Sequence, residues 1–100
     1  MSHAEPMPTL EDAIQVSPDV VFRTLDGEAV LLNLQSGVYF GLNETGTKIW
    51  SMLAENTSLA EVHSRILNEY RVEPDLAKSD LLTLARQLAQ KGLVTILPVK

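Results

Sequence analysis

Hydrophobic and polar residues alternate along the first half of the chain. Along the second half, apolar residues recur every three or four positions. The first pattern predicts strands and the second predicts helices. Val20 to Leu25, Glu28 to Leu34 and Val38 to Leu42 read as three successive strands. Asp26-Gly27 joins the first two as a tight hairpin, because both turn positions favour positive φ. Gln35-Ser36-Gly37 supplies the second turn, with Gly37 suited to a left-handed position. In the second strand Val30, Leu32 and Leu34 share one face, and Leu31 and Asn33 share the other. In the third, Val38, Phe40 and Leu42 point one way, Tyr39 and Gly41 the other. The three form an antiparallel meander.

The segment GVYFGLNETG, Gly37 to Gly46, has no loop between its strand and the helix that follows. Asn43 is placed to cap that helix. Ile49, Trp50, Met52 and Leu53 give the helix an apolar face, and Asn56-Thr57 break it. Ser58 and Glu61 form a capping box that opens a second helix. Leu59, Val62, Ile66 and Tyr70 line its core stripe. Val72-Glu73-Pro74 ends it, and Pro74 suits the first turn of a third helix. Gly92 stops that helix after about Lys91. Leu93 to Val99 is an apolar tail, extended or packed back. Met1 to Ala13 holds Pro6 and Pro8 without periodicity and reads as a flexible tail, leaving residues 14–100 as a single domain. The fold class is α+β: a three-stranded antiparallel β-sheet followed by a three-helix bundle, winged-helix-like with the wing placed first.

On the third helix Ala77, Leu81, Leu84 and Leu88 stack as the core face, and Asp80, Thr83, Gln87 and Gln90 form a polar face. Between them lies a mixed flank of Lys78, Leu82, Ala85, Arg86 and Ala89. This flank is either the edge of a wide core stripe with solvated charges at its rim, or the wall of a shallow groove. In the second case Leu82 meets an apolar anchor, Ala85 and Ala89 permit close approach, and Lys78 and Arg86 pair with acidic groups of a ligand. Trp50 and Tyr70 read as core aromatics. Tyr39 is left open between an exposed and a packed position, and His63 falls on an exposed helix face.

Composition narrows the function. One hundred residues, 45% hydrophobic and 21% charged, fit one globular domain. No apolar run is long enough to span a bilayer, and the N-terminus lacks the pattern of a secretory signal. Without cysteine there is no disulfide, thiolate metal site or cysteine nucleophile; a cytoplasmic location fits. Two distant histidines, His3 and His63, do not suggest a metal site. A net charge of -5, with eight scattered Lys and Arg, weighs against nucleic acid. No phosphate loop, zinc-protease or nucleophile-elbow motif occurs, and no acid–base pair is placed for catalysis. The expectation is a chain that is not an enzyme and needs no cofactor. A winged-helix DNA-binding regulator is the alternative, and it would need a basic face that the third helix supplies only through Lys78, Arg86 and Lys91. If the third strand is an edge, it offers unpaired backbone groups to another chain.

The LNETG strand-to-helix junction, the TSLAEV helix start, the ILNEYRVEP junction and the LLTLARQLAQKGLV ending, in this order, resemble the PqqD family. The resemblance spans roughly Val16 to Ile96. It implies a peptide-recognition domain of the kind used to make ribosomally synthesised, modified peptides, including lasso peptides. Such a protein binds the leader of a precursor peptide and presents it to a modifying enzyme. That enzyme is a radical SAM protein in pyrroloquinoline quinone synthesis, or a leader protease in a lasso-type pathway. The resemblance implies that the leader adds as a further strand beside the third strand and lies against the third helix. Carried onto this chain, the peptide-binding residues are Val38, Tyr39, Phe40, Gly41 and Leu42, with Lys78, Leu82, Ala85, Arg86 and Ala89 from the mixed flank. A monomer or weak homodimer is expected, since a free edge can self-pair.

Overall fold

Positive φ at Asp26 (54°) and Gly27 (81°) closes the first hairpin, as the mirror-image turn requires. The computed structural model describes residues 8–55 and 58–97. Eight elements follow one another: β1 (Ala13–Val16), β2 (Val20–Leu25), β3 (Glu28–Asn33), β4 (Tyr39–Leu42), α1 (Glu44–Glu55), α2 (Leu59–Glu69), α3 (Pro74–Gln90) and β5 (Val94–Leu97). The predicted meander is the sheet β2-β3-β4, antiparallel throughout, and the predicted three helices follow it. The Asn56-Thr57 break, His3 and the first seven residues of the expected tail lie outside the described residues.

A second sheet was not expected. β1 pairs with β5 in antiparallel register from Ala13↔Leu97 to Val16↔Val94. The C-terminal apolar segment is therefore a strand, packed back onto the start of the domain. Ahead of β1, Pro8 is buried, and Thr9 to Asp12 form a turn closed by Asp12 N–H donating to Thr9 O at 3.0 Å.

Cross-strand partners share a face, so the register separates the two sides of the main sheet. Ala29, Leu31 and Asn33 of β3 and Leu42 of β4 face the helices and are buried. Val21, Val30 and Tyr39 face outward and are exposed. Ile14, Leu31, Trp50, Leu59, Val62, Leu81, Leu88 and Leu93 are the largest fully buried side chains, so every layer contributes to one core. The ring of Phe22, at the β2 edge, meets Trp50 edge-on with centroids 6.1 Å apart. Trp50 is the core residue expected; Tyr70 is partly buried and packs against the core.

The helix ends show which local signals act. Asn43 Oδ1 accepts the Gly46 N–H at 2.7 Å, a side-chain cap on α1. α3 closes with Leu93 N–H donating to Leu88 O at 2.9 Å and Gly92 N–H donating to Ala89 O at 3.0 Å. This double bond pattern needs a left-handed residue, and Gly92 has φ 73°. The expected capping box of α2 is absent: Ser58 stands at the N-cap, but its side chain makes no cap hydrogen bond. Ser58 is instead extended and bridges Ala13, and the Leu59 N–H donates to Asp12 O at 3.1 Å. The chain leading into β1 thus supplies an acceptor for the first helical N–H, a donor the box does not serve. Asn43→Ala should therefore cost about 1 kcal/mol, while Ser58→Ala should stay within about 0.5 kcal/mol of wild type. Paired denaturant curves read this contrast.

Candidate functional site

Among the described residues β4 pairs only with β3, so it is an edge of its sheet. The Asn33 N–H donates to Val38 O at 2.9 Å, which fixes the phase of the ladder. Antiparallel pairs alternate between bonded and non-bonded. Leu31–Phe40 and Ala29–Leu42 are then bonded pairs, and Tyr39 and Gly41 turn their N–H and C=O groups toward the free edge. A row of outward donors and acceptors of this kind is a template for another strand.

Tyr39 is 72% exposed, and a Cβ added at Gly41 would meet nothing within 4 Å. The outward face of β4 is therefore open, which settles the question left about Tyr39. Phe40 and Leu42 turn to the inner face and form one wall of an open hollow of about 300 Å³. Asn43, Thr45, Gly46 and Ile49, from the strand-helix junction and α1, form its end, and Asp80 and Leu84 of α3 close the far side. The cap at Asn43 directs α1 away from β4 without an intervening loop and so fixes that end. Lys91, just past α3, holds its Nζ 5.8 Å from the centre of the Phe40 ring.

The sequence-predicted residues fall into two groups. Val38, Tyr39, Phe40, Gly41 and Leu42 are together along the edge, with Val38 just ahead of the strand. The α3 residues are not with them. Lys78 and Leu82 line a separate hollow with Asp75 and Ser79. Leu82 and Ala85 are core, 8% and 0% exposed, and Arg86 and Ala89 are half-buried. Ala85 therefore cannot wall an exposed groove. α3 packs against α2 and β5; its Leu82 and Ala85 are buried, while Leu84 is only partly covered. The α3 side of the β4 hollow is accordingly Asp80 and Leu84, residues the helix wheel assigned to the polar and core faces.

Asn33 joins the two walls. Its side chain is buried, its Nδ2 donates to Gly92 O at 2.9 Å, and its Oδ1 accepts from Gln35 and Ser36 N–H at 2.8 and 3.1 Å. One residue thus holds the β3–β4 turn and the end of α3 together. The sequence marked Asn33 only as a residue on one strand face. A polar residue beside Leu31 in an apolar strand was the available signal, since buried polar groups are bonded ones.

His63 is half-buried, with Nε2 3.0 Å from Pro74 O, tying α2 to the start of α3. Among the described residues no group of three or more His, Asp or Glu is arranged to hold a metal. Also among them, no helix is long and apolar enough to cross a membrane.

A family model described as coenzyme PQQ synthesis protein D (PqqD) matches residues 28–94. Two solved structures are similar over most of their length. One is TbiB1 in complex with the TbiA(beta) leader peptide, 41% identical, with a TM-score of 0.75, covering 80% of this chain and 93% of that one. The other is a lasso peptide synthetase B1 complexed with its leader peptide, 30% identical, with a TM-score of 0.73, covering 83% and 98%. No curated protein matches the chain.

Proposed function

The chain belongs to the PqqD family, and we propose from that premise that it binds the leader of a ribosomally made precursor peptide and presents it to a separate modifying enzyme. The observation that carries this reading is the free β4 edge beside an apolar hollow. A leader strand laid along Tyr39 and Gly41 gains main-chain hydrogen bonds, which supply affinity with little demand on sequence. Side chains entering the hollow supply selectivity. The leader orders as it binds, which offsets part of the contact energy and keeps the complex reversible. The leader-facing residues are Tyr39, Phe40, Gly41 and Leu42, with Asp80 and Leu84 in place of the Lys78–Ala89 flank.

The protein does no chemistry of its own in this reading, so a second surface must meet the enzyme, a radical SAM protein or a leader protease. Val21, Val30 and Tyr39 form an exposed apolar patch on the outward sheet face, continuous with the strand edge, with Leu25 beyond Arg23 and Glu28. Apolar surface gathered in this way marks contact sites. Val30→Glu should leave leader affinity within about twofold of wild type and slow enzymatic modification of the precursor at least tenfold, about 1.4 kcal/mol.

The test of the function itself is fluorescence anisotropy with a labelled synthetic leader of the precursor encoded beside the gene. Saturable one-to-one binding is expected. No binding to that leader, together with tight and steeply salt-sensitive retention of bulk DNA, would overturn the reading.

A further inference from the structure

We propose that the groove beside β4 reads the order of charge along the leader: a basic side chain first, then an apolar anchor, then an acidic side chain. The proposal rests on the reading that the leader adds as a strand at β4. Asp80, Leu84, Gln87 and Lys91 are spaced by four, three and four residues, which places them in one row along α3 and its end. The row is an acid, an apolar residue, an amide and a cation. Asp80 and Leu84 line the hollow with Leu42 and Asn43 at the C-terminal end of β4. Lys91 lies over Phe40, toward the other end. The row therefore runs opposite to the strand, with its negative end at Leu42 and its positive end at Phe40.

Both charges are available to a ligand. Asp80 and Lys91 are exposed. The ion pairs among the described residues join Arg65 to Glu55 and Glu69, and neither Asp80 nor Lys91 takes part in one. A carboxylate at the rim of an apolar hollow favours a cation beside an apolar side chain, and Lys91 favours an anion beyond it.

Direction and spacing follow from the geometry. The sheet is antiparallel throughout, and an antiparallel addition keeps it uniform. The N-terminal end of the added strand then lies by Leu42 and Asp80, so its basic residue comes first. Eleven residues of helical rise span about 16 Å, which an extended chain covers in about five residues. Side chains on one face of a strand are an even number apart, so the basic and acidic residues stand about four or six positions apart. The apolar anchor falls about two residues after the basic one, over the hollow.

The test uses a displayed library of random twelve-residue peptides, selected on the full chain and on its Asp80→Lys and Lys91→Glu variants. Wild type should enrich Lys or Arg four to six positions before Asp or Glu, with a large apolar residue between. Asp80→Lys should replace the first preference by Asp or Glu, and Lys91→Glu should replace the last by Lys or Arg. A peptide selected on wild type should bind Asp80→Lys about three- to tenfold more weakly, in the range of exposed ion pairs and their reversal. Matching thermal unfolding of the three proteins excludes a folding defect. Enrichment without charge order, in the reverse order, or in an order that neither substitution moves would overturn the proposal. Enriched peptides that leave amide exchange at Tyr39 and Gly41 unchanged would overturn the strand-addition reading beneath it, a separable result.

Discussion

Gly41→Pro is expected to weaken leader binding by about 10- to 100-fold while leaving stability within about 1 kcal/mol of wild type. The substitution removes one N–H and puts a ring carbon in its place. At Gly41 that N–H points to the free edge, since the Asn33–Val38 bond places Gly41 in a non-bonded pair with Val30. The β3–β4 ladder therefore keeps all its bonds, and an edge position is one of the few in a sheet where proline is accepted. An added Cβ meets nothing within 4 Å, so the free protein has no clash to relieve. An incoming leader strand loses a hydrogen bond and meets the ring. Titration of the labelled leader against both proteins, with urea unfolding alongside, separates the two effects. Equal affinities would mean that the leader does not use this edge.

Asn33→Leu should cost about 2–4 kcal/mol of stability and weaken leader binding as well. The side chain is buried and serves three backbone groups: Gly92 O, Gln35 N–H and Ser36 N–H. Leucine has similar bulk but no partner for any of them, and buried backbone groups left unpaired carry their full desolvation cost. The same change releases the β3–β4 turn from the end of α3. The strand edge and the Asp80–Leu84 wall are then no longer held at a fixed separation, and the groove loses its preorganisation. A lower urea midpoint with unchanged slope would show loss of stability without loss of compactness. A loss of stability under about 0.5 kcal/mol would contradict the role assigned to Asn33.

Features set by one or two residues were legible in the sequence. Asp26-Gly27 and Gly92 announce positive φ, and both positions have it. Asn43 announces a cap, and its side chain makes the bond. The meander was legible because each strand is joined to the next by a turn of a few residues, which sets pairing and register together. No turn joins β1 to β5. They meet across nearly the whole chain, Ala13 to Leu97, and each has only four residues, so local pattern carries no trace of the partner. The same pairing brings Asp12 and Ala13 to the start of α2, where Asp12 O accepts from its first N–H.

The candidate site divides in the same way. Its strand half follows from alternation, which fixes what Tyr39 and Gly41 face once β3 is placed. Its helix half does not. A helical wheel gives the angles between side chains, and tertiary packing decides which side of the stripe is covered. The fold buries Leu82 and Ala85, and Asp80 and Leu84, on the opposite flank, come to line the hollow beside β4.

Amide hydrogen exchange at Tyr39 and Gly41, with and without the leader, tests the central claim most directly. In the free protein both N–H groups point to solvent and should exchange quickly, while the Phe40 and Leu42 amides, in the bonded pairs with β3, exchange slowly. Leader addition should slow Tyr39 and Gly41 together, with smaller changes at Asp80 and Leu84. Exchange at Tyr39 and Gly41 that stays fast in the saturated complex, with new protection around Lys78 and Leu82 instead, would contradict it.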